Sequence, residues 1–547
     1  MKKGLIKIIE ISLKKLGIDP IPPIEIYIPP EESFGDMATP VAMTLSKSIK
    51  KPPRKIAEEL VNSLKDHSIF EKMDIADPGF INFTFTKDYL YSELKMLIRE
   101  KSHFLLQNIG RDKRVQIEFV SANPTGPLHL GHGRGAAFGA ALSNLLKAAG
   151  YKVEREYYIN DAGKQVKLLG LSVFARYQQL LGIEYPSPEE GYRGSYIDDI
   201  ANAIIKEVGK KYSECSFDTA SDFFTDFSYK MMLDDIERDL KDFSITFDTY
   251  QSERELYKKG DVEKAIDDLK MHGFIYEKDG ALWFRATDFG DDKDRVILKK
   301  DGEYTYFTSD IAYHRKKMRK GYDKLINIWG ADHHGYIPRL KAAIQALGYP
   351  KDSLKVLLVQ MVTLLRGGKP VQMSKRAGEF VTLREVIEEV GPDTTKFIFL
   401  TRRPDSHLEF DLEVAKVRSS ENPVFYVQYA NARINSIFSH AKEKGIVIED
   451  FNGVDLSMLS LPEEHRLIKN LLLYPVIFES AVNALEPHRI TFYLQELAGI
   501  FHPYYHNHRV VTDNVELSRA RLALCEAIRI VLKDGLEILG LSVPERM

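Results

Sequence analysis

Hydrophobic and polar residues alternate over 115–119, with the period of two that predicts a β-strand. Proline and glycine within 123–127 break this pattern and predict a turn. The chain then reads HLGHGRGAAFGAALSNLLKAAG over 129–150, which predicts a helix whose small residues let it approach a sheet closely. A helix that begins just after a strand presents unpaired backbone N–H groups and a positive dipole end. Because two histidines at this point can donate hydrogen bonds to phosphate oxygens, the pattern indicates a nucleotide site.

Similar patterns predict further elements downstream. Short apolar runs at 281–284, 325–329 and 354–358 predict strands, and a charged stretch over about 164–270 has a helical pattern. Because strands and helices alternate here, we predict an α/β sheet that binds ligands at the carboxyl ends of its strands.

The flanking segments have different patterns. Residues 1–106 begin with an amphipathic helix and continue through a proline-rich loop to a helix that starts at Phe34 and a strand over 78–83. From about Val414, apolar residues recur every three or four positions, which predicts a helical bundle. Since 547 residues exceed one core, we predict an α+β domain at 1–106, an α/β domain at 107–413 and an all-α domain at 414–547.

Composition narrows the class of protein. The chain is 44% hydrophobic and 28% charged with a net charge of −3, which is ordinary for a soluble protein and leaves nucleic-acid binding to local patches. Cys215 and Cys525 lie far apart, which argues against a disulfide framework and fits a reducing cytoplasm. Charges interrupt the first apolar stretch and every longer one, so we expect neither a signal peptide nor a membrane span.

A second cluster, RGGKPVQMSKRAG at 366–378, carries Lys375 and Arg376 on a predicted loop that a helix follows. Cations on such a loop can fold over a triphosphate and stabilise the charge that develops as pyrophosphate leaves. An isolated cluster of this kind would be a solvated basic loop. Its pairing with the histidines of 129–132 favours the phosphate role.

The HLGH and MSKR clusters resemble the two signature motifs of class I aminoacyl-tRNA synthetases. Further segments resemble the arginyl-tRNA synthetase family, and together they extend the resemblance over essentially the whole chain. These segments are SANPTGPLHLGH at 121–132, YINDAG at 158–163, WGADHHGY at 329–336 and NPVFYVQYA at 422–430.

The resemblance implies a Rossmann-type catalytic domain with a helical insertion at about 164–270, an N-terminal α+β domain that recognises tRNA, and a C-terminal all-α anticodon-binding bundle. It implies ATP-dependent ligation of L-arginine to the 3′-terminal ribose of tRNA(Arg) through an arginyl-adenylate, with release of AMP and pyrophosphate. The expected partners are tRNA(Arg), arginine and ATP with Mg²⁺. We expect a cytoplasmic monomer without a structural metal and without membrane or DNA partners.

The resemblance also implies roles for the motif residues. His129 and His132 contact the phosphates, and Lys375 stabilises the departing pyrophosphate. The other residues expected to bind ATP are Leu130, Gly131, Gly330, Asp332, Met373, Ser374 and Arg376. Gln372 replaces the first lysine of the usual KMSK motif, which places more of the charge requirement on Lys375.

A guanidinium is a planar set of donors that stays protonated, so its pocket needs carboxylates and acceptor oxygens. The resemblance implies that Glu118, Asn123, Tyr306 and Asp310 hold the substrate arginine. Within this set we expect Asp310, with Tyr306 beside it, to bind the guanidinium, and Glu118 and Asn123 to bind the α-amino group. The alternatives are that Glu118 faces solvent and that Asp310 caps a helix. The full set expected to bind arginine is Glu118, Ser121, Asn123, Tyr306, Asp310 and His333.

Two polar groups near this set remain ambiguous. Asp332, His333 and His334 could suggest a metal site. Adjacent histidines rarely point the same way, however, and the sequence nearby lacks a third ligand at suitable spacing, so we prefer contact with adenosine and arginine. Asp161 and Gln165 stand one helical turn apart, and they either line the pocket or act as a structural cap.

Aromatic and basic residues in the tail suit stacking against anticodon bases. The residues expected to bind tRNA are Tyr426, Tyr429, Asn431 and Arg433. Core packing of the aromatic residues is the alternative, and Asn431 stands where the family often has histidine.

Three other functions stay open. A class I synthetase for another amino acid is disfavoured by Glu118 and Asp310, which do not suit an apolar substrate. A small-molecule nucleotidyltransferase would share the HxGH chemistry but would not need the helical tail. A non-catalytic tRNA-binding relative is disfavoured by the intact HLGH and MSKR clusters.

Overall fold

The computed structural model describes residues 1–371, 381–419, 421–448 and 450–547. The strands are β1 (Met37–Thr39), β2 (Phe70–Ala76), β3 (Phe80–Phe85), β4 (Arg114–Glu118), β5 (Lys152–Ile159), β6 (Thr249–Ser252), β7 (Ile275–Lys278), β8 (Ala281–Phe284), β9 (Arg295–Leu298), β10 (Lys324–Gly330), β11 (Leu354–Val359), β12 (Val362–Arg366), β13 (Lys369–Pro370) and β14 (Leu408–Asp411).

The α-helices are α1 (Lys2–Lys15), α2 (Val41–Ile49), α3 (Pro53–Leu64), α4 (Lys87–Glu100), α5 (Ser102–Leu105), α6 (Leu130–Ala148), α7 (Lys164–Leu180), α8 (Ser195–Val208), α9 (Phe217–Asp242), α10 (Glu253–Lys258), α11 (Asp261–Met271), α12 (Tyr306–Arg319), α13 (Ile337–Ala346), α14 (Leu383–Val390), α15 (Pro392–Phe399), α16 (Leu412–Lys416), α17 (Pro423–Glu443), α18 (Pro462–Ala484), α19 (His488–Asn507) and α20 (Val515–Ile538). The helices predicted at the N-terminus and after the HLGH motif, and the strands predicted at 281–284, 325–329 and 354–358, are confirmed.

A five-stranded parallel sheet forms the centre of the molecule, in the order β11-β10-β4-β5-β6. The chain builds outward from β4 in one direction and then returns to the other side of β4 with β10. The strand order therefore reverses between β4 and β10, which is the point where open α/β sheets bind ligands. This architecture confirms the predicted Rossmann-type fold.

Helix α6 packs on β4 through the small residues that its sequence predicted. A Cβ atom on Gly139 would lie 2.3 Å from Cγ of Phe119, so only glycine allows this approach. The close packing holds the N-terminus of α6 directly beyond the carboxyl end of β4.

One expectation about secondary structure was wrong, and another was right only in part. The α-helix predicted to begin at Phe34 is absent there: a 3-10 helix ends at Phe34, Met37–Thr39 form β1, which pairs antiparallel with β3, and α2 begins after Pro40. The Asp36 carboxylate accepts a hydrogen bond from the backbone N–H of Phe85 at 2.8 Å, which ties this segment to the sheet. The stretch predicted as helical over 164–270 forms α7 to α11, but it also contains β6, which pairs in parallel with β5 at the edge of the sheet.

The remaining units pack around this sheet. Helices α7, α8 and α9 share their own hydrophobic core, and β7, β8 and β9 form a small antiparallel sheet next to the start of α12. The C-terminal helices α17 to α20 form a bundle, whose α18 and α20 also pack on α4. Among the helices in the described part of the chain, none is long and apolar enough to cross a membrane.

Candidate functional site

A pocket of about 470 Å³ opens at the carboxyl edge of the sheet, where the strand order reverses. Its walls come from the ends of β4, β5, β10 and β11 and from the first turns of α6, α10 and α12. Segments that are distant in sequence therefore meet at one place. The predicted residues that line the pocket are Glu118, Ser121, Asn123, His129, Gly131, His132, Tyr306, Asp310, Gly330, Asp332 and His333.

The other predicted pocket residues lie elsewhere. Leu130 is 2% exposed and belongs to the hydrophobic core, because it is the first residue of α6 on the side that faces the sheet. Its side chain does not contact the pocket, so any contact with ATP must come from the backbone. The predicted residues Gln372, Met373, Ser374, Lys375 and Arg376 lie outside the described residues.

The two histidines shape the N-terminus of α6. His129 is the N-cap residue, and its Nδ1 accepts hydrogen bonds from the backbone N–H groups of Gly131 at 3.1 Å and His132 at 3.4 Å. The backbone N–H of His129 donates to Nδ1 of His132 at 3.4 Å, and the two rings stack with centroids 3.7 Å apart. Because Nδ1 accepts in both rings, Nε2 is the ring nitrogen of each that can donate a hydrogen bond. His129 therefore combines a capping role with a place in the pocket wall.

The loop between β4 and α6 holds a strained backbone at the pocket. Val120 has a φ of 67° and Ser121 a φ of 41°, a region that side-chain-bearing residues rarely adopt. Ser121 stabilises this turn, since its hydroxyl donates to Glu118 at 3.2 Å and accepts from the N–H of Tyr158 at 3.1 Å. Asn123 donates to the side chain of Gln165 at 2.7 Å, so Gln165 contacts the pocket rim.

Glu118 does not face solvent, because its side chain is 6% exposed and lies at the base of the pocket. Its carboxylate accepts hydrogen bonds from Lys317 Nζ at 2.8 Å and from the hydroxyl of Tyr313 at 3.2 Å. Lys317 is 1% exposed and also donates to Asn327 at 2.9 Å. The charge of Glu118 is therefore balanced by a buried lysine.

Asp310 lies in the second turn of α12, and Thr305 is the N-cap residue, so Asp310 is not a helix cap. Burial, with a smaller contribution from the nearby carboxylates of Glu253 and Glu118, raises the pKa of Asp310 to about 7, against a hydrogen bond from the hydroxyl of Tyr336 and the charge of Arg339. His314, one turn later, accepts from Asn327 at 2.9 Å and donates to the carbonyl of Asp310 at 2.8 Å.

Glu253 is a pocket residue that the sequence reasoning missed. It is 2% exposed, and burial together with the charge of Asp161 raises its pKa to about 7, against a hydrogen bond from Ser309. The amide of Asn160, oriented as its hydrogen bonds require, donates to Glu253 at 2.9 Å. The sequence did carry a signal for the start of this helix, because Ser252 is followed three residues later by an acidic residue, as in a capping box. It carried no signal for the residues that surround Glu253 in space.

Asp161 has the structural role that the sequence left open. Its carboxylate accepts from the hydroxyl of Ser252 at 2.6 Å and from the N–H of Arg254 at 2.9 Å. These bonds join the end of β5 to the first turn of α10 and so position Glu253 at the pocket wall.

Asp332 and His333 lie on the opposite wall, in a 3-10 helix over Ala331–Tyr336 that follows β10. They form an exposed pair, with His333 Nε2 3.5 Å from the Asp332 carboxylate. Across the described residues, the structure contains no cluster of three or more His, Cys, Asp or Glu side chains suited to a metal.

The predicted tRNA-binding residues divide into two groups on α17. Arg433 lies between the rings of Tyr429, at 4.6 Å, and Tyr505, at 4.7 Å, and donates to His502 at 2.9 Å. His502 in turn donates to the carbonyl of Tyr426 at 3.0 Å. These side chains form a continuous aromatic and cationic cluster, in which Tyr426, Tyr429 and Arg433 are partly exposed and His502 is buried.

Asn431 faces the other way, and the expectation that it contacts tRNA is not supported by its position. It is 2% exposed and donates to the carbonyl of Pro544 at 2.8 Å. The C-terminal segment covers this side of α17 and leaves the amide no access to solvent.

Three family profiles match the chain. One described as the arginyl-tRNA synthetase N-terminal domain matches residues 3–85, one described as the class I (R) tRNA synthetase catalytic domain matches 93–401, and one described as the DALR anticodon-binding domain matches 427–547.

Relatives match along nearly the full length. The arginine–tRNA ligase of Citrifermentans bemidjiense is 51% identical over 530 residues, which span 96% of this chain and 95% of that protein. The arginine–tRNA ligase of Bacillus subtilis is 46% identical over an alignment of 552 positions, which covers 100% of this chain and 99% of that protein. The structure of Thermus thermophilus arginyl-tRNA synthetase covers 100% of both chains with a TM-score of 0.77 at 22% identity, a likeness of fold.

Proposed function

The chain belongs to the arginyl-tRNA synthetase family and ligates arginine to tRNA with ATP as co-substrate, and we propose that the pocket described above performs both activation and transfer. In this family the arginine carboxylate attacks the α-phosphate of ATP, which gives arginyl-adenylate and pyrophosphate. The 3′-terminal ribose of tRNA then takes the arginyl group. The observation that carries the assignment of the pocket is the meeting of the HLGH helix with buried acidic residues at the switch point of the sheet.

The N-terminal turn of α6 is the proposed phosphate site. Its backbone N–H groups and helix dipole attract the polyphosphate, and His129 and His132 carry protons on Nε2 that can be donated to phosphate oxygens. Gly330 and Asp332 are proposed to contact the adenosine from the opposite wall. Because little covalent chemistry falls to the protein, positioning and charge stabilisation supply most of the rate.

Asp310 and Glu253 are the proposed partners of the guanidinium, with Tyr306 beside them. Both carboxyls have a raised pKa because the protein buries them near other acids, and a bound cation relieves this cost. Glu118 is already paired with Lys317, so its role is to orient the α-amino end, together with Asn123. An uncharged side chain such as that of citrulline would leave the two acids unpaired, which disfavours its binding strongly.

Further aspects of the function are proposed on the same basis. Residues 1–106 are proposed to recognise tRNA, 107–413 to catalyse, and 414–547 to bind the anticodon through Tyr426, Tyr429 and Arg433. ATP is proposed to bind as its Mg²⁺ complex, with Lys375 and its MSKR neighbours closing over the phosphates. We also propose that the enzyme acts as a monomer in the cytoplasm, where tRNA is charged for translation.

The arginine assignment is tested by Asp310→Asn and Glu253→Gln in pyrophosphate exchange with tRNA present. We expect each change to raise the arginine KM about 10- to 100-fold, because a charged hydrogen bond contributes about 1.5–3 kcal/mol, while the ATP KM stays within about twofold. The control is Asp534→Asn, which alters a carboxyl in the C-terminal bundle whose pKa burial also raises, to about 6, and which also accepts a tyrosine hydroxyl. An unchanged arginine KM in both pocket variants would overturn the assignment.

A further inference from the structure

Arg134 is a buried cation of the catalytic unit that pairs with backbone carbonyls. It stands on α6 two residues after His132, is 1% exposed and does not line the pocket. Its guanidinium reaches across to two other segments of the chain. Nη1 donates to the carbonyl of Gln360 at 2.9 Å, and Nη2 donates to the carbonyl of Arg403 at 2.8 Å.

The two acceptor segments are themselves joined. The backbone N–H of Gln360 donates to the carbonyl of Pro404 at 2.7 Å, so the loop after β11 and the loop after α15 form one unit. Val359, Gln360 and Met361 of the first loop line the pocket. Arg134 therefore connects the helix of the HLGH motif to a separate wall of the same pocket.

The pairing of this guanidinium is energetically unusual. Burial lowers the pKa of Arg134 to about 10, against the attraction of Asp405, so the group is still charged at neutral pH. Within the described ranges, no carboxylate forms a hydrogen bond with it, and its Nε is buried without a hydrogen-bond partner. Buried charges are normally paired, and an apolar residue could fill this space without the cost of desolvation. A stabilising role alone does not account for an arginine here, whereas holding two backbone carbonyls at once requires its forked donors.

We propose that Arg134 is a positioning residue of the nucleotide site, whose guanidinium sets the spacing between the first turn of α6 and the wall at 359–361. The inference rests on the proposed role of that turn in binding ATP phosphates. A bidentate donor in a dry environment holds the two walls in one geometry before the nucleotide binds. Loss of either bond lets the wall move relative to the histidines. Binding of ATP must then order the wall, and the entropy lost in this step weakens the binding.

The test uses the full-length enzyme in pyrophosphate exchange with tRNA present, with ATP and arginine each varied. Arg134→Met removes both hydrogen bonds, and Arg134→Lys keeps the charge but reaches one carbonyl at a time. We expect Arg134→Met to raise the ATP KM at least tenfold and Arg134→Lys at least threefold. The arginine KM should stay within twofold in both variants.

The matched control is Arg155→Met. Arg155 of β5 is partly buried, its Nε likewise lacks a hydrogen-bond partner, and it donates to Asn144 near the C-terminal end of α6; neither residue lines the pocket. We expect Arg155→Met to lower the melting temperature as Arg134→Met does, but to leave the ATP KM within twofold. This comparison separates a loss of positioning from a loss of stability.

An ATP KM within twofold of the parent in Arg134→Met would overturn the proposal, as would an Arg134→Lys variant equal to the parent. If Arg134→Met does not fold, Arg134→Lys decides by the same threshold. His132→Ala, measured alongside, distinguishes the two levels of the argument. If the ATP KM of the Arg134 variants is normal while His132→Ala loses pyrophosphate exchange, only the positioning role is refuted. If His132→Ala exchanges pyrophosphate as the parent does, the phosphate site itself is refuted.

Discussion

Replacement of Lys317 by methionine would leave the carboxylate of Glu118 buried without its cation. The ammonium makes two hydrogen bonds, at 2.8 Å to Glu118 and at 2.9 Å to Asn327, and the two charged side chains are 1% and 6% exposed. Solvent therefore screens the pair very little. Breaking a buried pair of this kind costs about 3–5 kcal/mol, since the remaining charge loses its partner.

A double-mutant cycle measures the coupling energy between Lys317 and Glu118. At about 2 °C per kcal/mol, Lys317→Met should lower the melting temperature by about 6–10 °C. Adding Glu118→Gln removes the stranded charge, so the double variant should be more stable than Lys317→Met alone, with a coupling of about 2–3 kcal/mol. The assay is thermal unfolding of the four proteins at pH 7, with arginine KM as the second readout.

An exposed pair gives the control for this cycle. Lys299 and Glu303 lie 2.9 Å apart with side chains 42% and 60% exposed, so their coupling should not exceed about 0.5 kcal/mol. If the buried pair shows no more coupling than this exposed pair, or if Lys317→Met is as stable as the parent, the reasoning about burial is wrong.

The other predictions concern the pocket and the packing of α6. His132→Ala should lower the rate of arginine activation about 10²- to 10³-fold by removing a phosphate donor, with the tRNA Kd within twofold, and equal losses in both would contradict this role. The pKa of Asp310 and that of Glu253 are each raised to about 7, so the arginine KM should fall as pH rises from 6 to 8 and level off above it, unlike the ATP KM. The same two carboxyls hold protons in the native state that the unfolded chain releases near pH 4. The free energy of unfolding of the empty enzyme should therefore fall as the pH rises from about 4 to about 7. Denaturant unfolding that shows no such fall across this range would contradict the prediction. Gly139→Ala should destabilise by about 1–3 kcal/mol, since its methyl group would lie 2.3 Å from Cγ of Phe119, and a melting temperature equal to that of the parent would show that α6 can shift at no cost.

The local features of the nucleotide site followed from the sequence because each depends on neighbouring residues. The alternation over 115–119, the turn at 123–127 and the small residues after His129 predict strand, turn and helix independently of the rest of the chain. A short strand carries less information, and β1 was mistaken for the start of a helix because its three residues owe their conformation to pairing with β3.

The faces of side chains depended on longer-range packing. Asn431 is polar, yet it lies on the buried face of α17, where the C-terminal segment covers it and takes its hydrogen bond. Asp161 likewise holds the first turn of α10, through bonds from Ser252 and Arg254, because the parallel pairing of β5 with β6 brings the two segments together.

The sequence by itself determined the family, and it predicted the HLGH helix start and Asp310 as parts of one site, because those signals are short runs of residues with defined spacing. Only the tertiary structure decided which charges meet. In the folded chain, buried Lys317 contacts Glu118, Glu253 lies in the pocket wall, and Arg134 donates to the carbonyl of Gln360. The physical reason is that the cost of a buried charge depends on its partners in space, and the sheet order brings together partners that are far apart in the chain.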